Sequence, residues 1–212
     1  MPDYGLGRLR SVDERDSLYP LKVRKAELRS YKYYRTGPVL DQGATPTCVG
    51  HAWRQWLSSA VMMTKGGFSA FDIYDGAKQN DEWGGENYDG TSVRGGAKFL
   101  QQSGRIVEYQ WAQTLDDMKK WLLSGSGTLV AGTNWYTDMF SPDSMNFLIP
   151  SGRIAGGHAY LLIGYSSQRD SFRMINSWGA DWGDKGRAWI HSESMKKLMD
   201  EGEFCAAIEK KV

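Results

Sequence analysis

A chain of 212 residues with 26 basic and 25 acidic side chains carries a formal net charge of +1, which leaves no global field to draw in nucleic acid or an acidic membrane. Its hydrophobic share of 41% suits a soluble globular protein with a sizeable core, and nine tryptophans and eleven tyrosines promise aromatic packing or an aromatic-lined cleft. Cys48 and Cys205 are too few for a disulfide framework, residues 1–5 lack the basic-then-apolar run of a signal peptide, and no apolar run approaches bilayer length, so a reducing, cytoplasmic setting is expected.

Residues 1–40 read as an N-terminal arm. Basic residues from Arg8 to Arg35 alternate with acids, and Tyr31, Tyr33 and Tyr34 cluster near the end. Such a run could bind nucleic acid, but without a net basic charge the better reading is aromatics packed on the core and charges left in water. Asp41-Gln42-Gly43 forms a turn, Pro46 fixes a backbone angle, and a helix over 48–64 follows with Thr47 as its cap. Cys48, Ala52, Trp56 and Ala60 share one face of it, and Lys65-Gly66-Gly67 closes it. Further helices are expected over 69–80, over 91–103 with Thr91 or Ser92 as cap, and over 114–123 with Thr114 as cap. A polar loop over 81–90 lies between the first two of these. The period then changes to strands at 128–132, 158–165, 171–176, 187–191 and 203–208, with a long connection over 133–153 and a short helix at 195–200. Helices first and strands second predict an α+β fold in a single domain, with a helical lobe over 41–123 and a β lobe over 124–212.

One stretch carries chemical potential. Cys48 stands at the start of a helix, where exposed N–H groups and the helix dipole favour thiolate over thiol. A lone cysteine in an apolar helix is more often a small buried hydrophobe, so other segments must decide. A thiolate needs a proton carrier, and that carrier needs an orienting partner. His158 opens an apolar strand after Gly156-Gly157, and Asn176 ends the hairpin partner, within reach of it. Taken singly, each has an ordinary packing or turn explanation.

Their surroundings change the balance. Asn176-Ser177-Trp178-Gly179-Ala180-Asp181-Trp182-Gly183-Asp184-Lys185-Gly186 resembles the Asn-Ser-Trp-Gly-x-x-Trp-Gly-x-x-Gly signature of papain-like cysteine peptidases at every defined position. Gly157-His158-Ala159 resembles the family's histidine segment, and Gln42-Gly43 stands ahead of Cys48 as its glutamine does. Glu27-Leu28-Arg29-Ser30 is similar to a segment near the family's mature start. The resemblance implies a two-lobe fold, with a helical lobe beside an antiparallel, barrel-like β lobe and the active-site cleft between. It implies Cys48 as nucleophile, His158 as proton carrier, Asn176 as its orienter and Gln42 as oxyanion donor. It further implies substrate binding by Gly90, Thr91, Gly157 and Trp178, the last also shielding the His158–Asn176 hydrogen bond. The expected activity is a cysteine endopeptidase acting on protein or peptide, with no cofactor, no metal and no nucleic-acid or membrane partner.

The departures are specific. Thr45 stands where the family usually has a disulfide cysteine and Val49 where it has tryptophan. His158 follows Cys48 sooner than the roughly 130–150 residues usual for such enzymes. These features suggest a compact member, nearer to bacterial or phage forms than to lysosomal ones. An amidase or peptidoglycan-peptide hydrolase and an inactive binding module of the same fold are the alternatives. Of the remaining candidates, His51 is expected to pack behind the nucleophile, His191 to be solvated and Cys205 to be buried and inert.

Overall fold

The computed structural model describes residues 4–23, 29–64, 66–85 and 87–209. Residues 1–3 of the start, Glu27 and Leu28 of the upstream resemblance, and Lys65 of the first helix stop lie outside the described residues.

Helices α1 (Cys48–Leu57), α2 (Ala70–Lys78) and α3 (Val93–Gln102) pack on one another, and α4 (Leu115–Leu123) follows after a strand. Their starts are set by side chains that accept orphan backbone N–H groups. Ser69 with Asp72, and Thr114 with Asp117, form capping boxes on α2 and α4. Ser92 caps α3 through the Gly95 N–H, whereas Thr91 donates its hydroxyl to Asp81. Helix α1 departs from expectation at both ends. Thr47 makes no side-chain cap bond; its hydroxyl is engaged with Thr45 and His51. The helix stops at Leu57 rather than at 64, because the Ser58 and Ser59 hydroxyls donate back to the carbonyls of Arg54 and Gln55 and satisfy the last turn locally.

The strands are β1 (Tyr31–Tyr33), β2 (Ile106–Trp111), β3 (Leu129–Tyr136), β4 (Ile154–Ser166), β5 (Ser171–Ile175), β6 (Arg187–His191) and β7 (Glu203–Glu209). They pair antiparallel in the order β2-β7-β3-β4-β5-β6, and β1 adds to β4. Strand β2 is not announced by the sequence pattern, because a register shift between Ile106 and Glu108 breaks its alternation. Strand β3 runs on into the 133–153 connection, β4 begins at Ile154 rather than at 158, and helix α5 (Ser192–Met199) begins before 195.

The core explains why β4 is held so firmly. Ala159, Leu161 and Ile163, with Val130 of β3, join Val49, Ala52, Trp53 and Leu57 of α1 on one face. Tyr160 and Leu162, with Leu129 and Ala131, join Met118, Trp121 and Leu122 of α4 on the other. Successive residues therefore bury on opposite faces. Each large side chain fully buried contributes about 1.5–3 kcal/mol, so a one-residue slip of β4 would forfeit several such terms at once. The place of His158 relative to α1 is thus fixed by the core. No helix among the described residues is long and apolar enough to cross a membrane.

Candidate active site

The nucleophile candidate lies at the first position of α1 and is fully buried. The N–H groups of Ala159, Val49 and Gly7 address its sulfur, but burial outweighs them and pushes the thiol up to about 11. The thiolate preference expected of a helix N-terminus is therefore overridden here by desolvation.

His158 stands on β4 beside Ala159, whose N–H lies against the Cys48 sulfur, and is paired there with Thr133 of β3. Its Nε2–H donates to Asn176 Oδ1 at 2.7 Å. Nδ1, the other ring nitrogen, is buried and makes no hydrogen bond, so in the neutral ring it is the proton-accepting atom. Trp178 stacks on the imidazole with ring centres 4.5 Å apart, and Trp135 meets it edge-on at 4.8 Å. This dry aromatic box lowers the imidazole pKa to about 4, opposed by the Asn176 hydrogen bond. Asn176 sits just past β5. Its own N–H donates to Gly186 O at 2.9 Å, and its Oδ1 also accepts the Ser177 N–H at 2.9 Å.

The turn before α1 is laced to the segment after Asn176. Gln42 N–H donates to Ser177 O at 2.8 Å and Gly179 N–H to Leu40 O at 3.0 Å. The Gln42 side chain is clamped as well. Its Oε1 accepts the Ser177 hydroxyl at 2.7 Å, and its Nε2 donates to Gly5 O at 3.1 Å and Thr45 O at 2.8 Å. The donor expected to stabilise an oxyanion thus already rests on a carbonyl, one supplied by the chain's own arm.

That arm fills the cleft. Tyr4 stacks on Trp178 at 4.4 Å, and the Trp178 Nε1–H donates to Gly5 O at 3.3 Å. Gly7 and Arg8 both donate their N–H to Gly157 O at 3.0 Å. Thr91 N–H donates to Gly7 O, and Leu9 N–H to Thr91 O, each at 2.9 Å. The fit is close enough to require glycine. A Cβ on Gly7 would lie 2.1 Å from Pro46 O, and one on Gly90, which holds φ +91°, would lie 2.3 Å from Gly7 O.

Of the residues singled out from the sequence, Gln42, Gly90, Thr91, Gly157 and Trp178 contact the arm directly, Gly7 of the arm lies beside Cys48, and His158 with Asn176 stands against Trp178. Sequence reasoning missed Ser177 as the clamp on Gln42 and Trp135 as the second wall of the histidine box. It also missed the Tyr4-Gly5-Leu6-Gly7 run, whose alternating glycines were the available signal for a strand threaded through a narrow slot. His51 is buried behind the nucleophile with Nδ1 3.0 Å from Thr47 O. His191 is exposed, stacked on Phe147 at 4.2 Å, and Cys205 is buried and free.

Comparison with known proteins bears on this geometry. No family model matches the chain. Cathepsin B-like cysteine proteinase 3 of Ostertagia ostertagi is 36% identical over 63 residues, covering 29% of this chain and 36% of its own. Cathepsin B-like CP3 of Giardia intestinalis is 34% identical over 67 residues, covering 30% and 22%. The chain thus spans 36% and 22% of the length of the two curated relatives it matches. Xylellain, a cysteine protease from Xylella fastidiosa, superposes over 99% of this chain and 98% of its own with a TM-score of 0.79 at 22% identity. Digestive procathepsin L2 of Tenebrio molitor superposes over 97% and 78% with a TM-score of 0.68 at 16% identity. The chain has the papain-like fold, and over 29% and 30% of its length its sequence is similar to the two cathepsin B-like proteins.

Proposed function

We propose that the protein is a cysteine peptidase that cleaves peptide bonds through Cys48, His158 and Asn176 by way of a thioester. In the conformation described, thiol and imidazole are both neutral at pH 7, the arm excludes substrate, and the site is at rest. Withdrawal of residues 4–9 admits water and substrate. The penalty on charge then falls, and the Cys48 proton passes to His158 Nδ1. The thiolate attacks the scissile carbonyl carbon while Gln42 Nε2–H and the Cys48 N–H hold the oxyanion. Collapse breaks the C–N bond, and the proton on Nδ1 goes to the leaving amine. Water, deprotonated by the same nitrogen, hydrolyses the thioester. Asn176 keeps Nε2–H engaged, so that Nδ1 alone faces the reaction, and Trp178 keeps water from that hydrogen bond.

The observation that supports this reading is the Gly5 carbonyl seated on Gln42 Nε2, because a carbonyl oxygen is the group an oxyanion donor must receive. Incubation of the folded protein with an epoxysuccinyl thiol-protease inhibitor, followed by peptide mass mapping, tests it. Modification of Cys48 that is lost in His158→Ala is the expected result. A folded protein whose Cys48 stays unmodified at neutral pH over a wide inhibitor range would sink the proposal.

A further inference from the structure

Positive charge gathers at one place outside the cleft, on a face of the sheet. Strand pairing sets Tyr33 of β1, Gly164 of β4, Arg173 of β5 and Trp189 of β6 opposite one another in a row. Gly164 adds no side chain to that row, and a Cβ there would lie 2.6 Å from Tyr33 Cδ1. The Tyr33 ring leans across it and meets Trp189 edge-on at 5.7 Å. Arg187, two residues before Trp189, shares its side of β6, and both are half-buried where Ala188 and Ile190 are buried. Arg169 comes from the turn between β4 and β5, and Arg35 and Thr36 follow β1. With Tyr34, Ile163 and Asp184 these residues line a cavity of about 570 Å³.

Charge in this cavity does not balance. Its lining holds four guanidinium groups, those of Arg35, Arg169, Arg173 and Arg187, against the one carboxylate of Asp184. Asp184 pairs with Arg173. Asp170, next to Arg169 in sequence, is engaged by Lys119, Tyr165 and Ser192. Arg187 donates to neutral groups, the Lys185 carbonyl at 2.7 Å and the Thr36 hydroxyl at 2.8 Å. Burial, and then the charge of Arg173, lower its pKa against the pull of Asp184. Arg173 is itself buried, and its Nη1 makes no hydrogen bond. In a chain whose net charge is +1, so local an excess of cations attracts an anion.

The guanidinium groups are also held in place. Those of Arg169 and Arg173 lie 5.2 and 4.7 Å from the centre of the Trp189 ring, and Thr36 holds that of Arg187. Planar forks fixed before a ligand arrives suit the oxygens of phosphate and lose little entropy on binding it. One pair, Arg169 and Arg173, stands at the Trp189 end, and the other, Arg35 and Arg187, at the Thr36 end. We infer that this cavity is a binding site for a small ligand carrying two linked phosphate groups, held by Arg35, Arg169, Arg173 and Arg187. Such a ligand would also brace the active site from outside. Residues 33–36 lead on to Gln42, and Arg187 follows Gly186, whose carbonyl accepts the Asn176 N–H at 2.9 Å.

The full chain is titrated calorimetrically with inorganic pyrophosphate, inorganic phosphate and citrate, at constant ionic strength and without divalent cations, and is melted in the presence of each. Pyrophosphate is expected to bind at least about 10-fold more tightly than phosphate or citrate and to raise Tm. Methyl diphosphate identifies the source: tighter binding than pyrophosphate points to an esterified diphosphate, weaker binding to the free anion, and either supports the site. In Arg35→Ala/Arg169→Ala, at two exposed positions, affinity for pyrophosphate should fall by about 10-fold or more. Arg173→Lys keeps the charge but loses the fork, and should weaken binding too. Lys120→Ala/Lys196→Ala removes as much charge from exposed positions on α4 and α5 and should leave affinity unchanged. An equal loss in the two double variants overturns the inference, because overall charge would then suffice. Citrate bound as tightly as pyrophosphate, or no binding of pyrophosphate by the folded chain, overturns it as well.

Discussion

The two walls of the cleft are built on different principles. On the helical wall the backbone does the placing. Cys48 is located by the first turn of α1, and what surrounds its sulfur is main chain: the N–H groups of Val49 from the same turn, of Ala159 from β4 and of Gly7 from the arm. On the strand wall, side chains do the placing. His158 is held by the Asn176 amide, boxed by Trp135 and Trp178, and backed by a core buried on both faces of β4. The nucleophile's neighbours should therefore be replaceable in a way that the base's neighbours are not. Val49, which stands where tryptophan is usual, gives its N–H to the sulfur's surroundings and its buried side chain to the core packed against β4.

Substitutions can break this contrast. The largest effect belongs to Cys48→Ala, which should take peptide hydrolysis to background, a loss on the order of 10⁴-fold or more. Thermal melting should move little, because one sulfur is lost and the backbone stays in place. Gln42→Ala comes next, since that side chain is the helical wall's exception, clamped from across the cleft by Ser177. It should lower kcat by about 10²–10³-fold with KM nearly unchanged, measured on a small peptide amide.

The strand wall should also announce itself through pH. Burial holds the folded His158 at about 4 against an ordinary 6.5. Between those values the unfolded chain binds the proton and the folded one does not, so stability rises with pH across the window. Full stability is present above 6.5 and is lost as pH falls towards 4, by about 3 kcal/mol from this group. His51, also lowered by burial, acts in the same direction. Unfolding in denaturant from pH 4 to 7 should show this slope, and His158→Gln should flatten most of it. An unchanged slope would mean that the histidine box is wet.

Asn176→Ala should cost about 10²-fold in kcat through misplacement of the imidazole. It should also destabilise the fold by about 1–3 kcal/mol, because a buried Nε2–H is orphaned. The smallest effect sharpens the contrast from the other side. Thr47→Ala sits next to the nucleophile but removes no cap bond. Its cost should stay below the roughly 1 kcal/mol of a lost N-cap, with kcat unaltered.

The sequence made much of this legible, for a physical reason. Asn176 to Gly186 must build a tight aromatic turn that few residue combinations allow, so its motif is nearly diagnostic. The loop-to-helix signal at Gln42 and Cys48 is local, and local signals survive in one sequence. What stayed hidden depends on long-range approach. Ser177 reaches Gln42 from far along the chain, and β2 is masked by its bulge. The arm's fit in the cleft is legible only when Gly5 and Gly7 are set against Thr45 and Pro46.

The arm's attachment has a kinetic consequence. Because residues 4–9 belong to the same chain as the cleft they fill, they compete with substrate as a tethered ligand, at an effective concentration on the order of millimolar. Self-blockade of this kind does not weaken on dilution. A peptide at micromolar levels must either bind far more tightly than the arm or wait for it to detach. Progress curves should accordingly show a lag whose length is independent of enzyme concentration, and the arm, rather than the catalytic groups, would set how quickly activity begins.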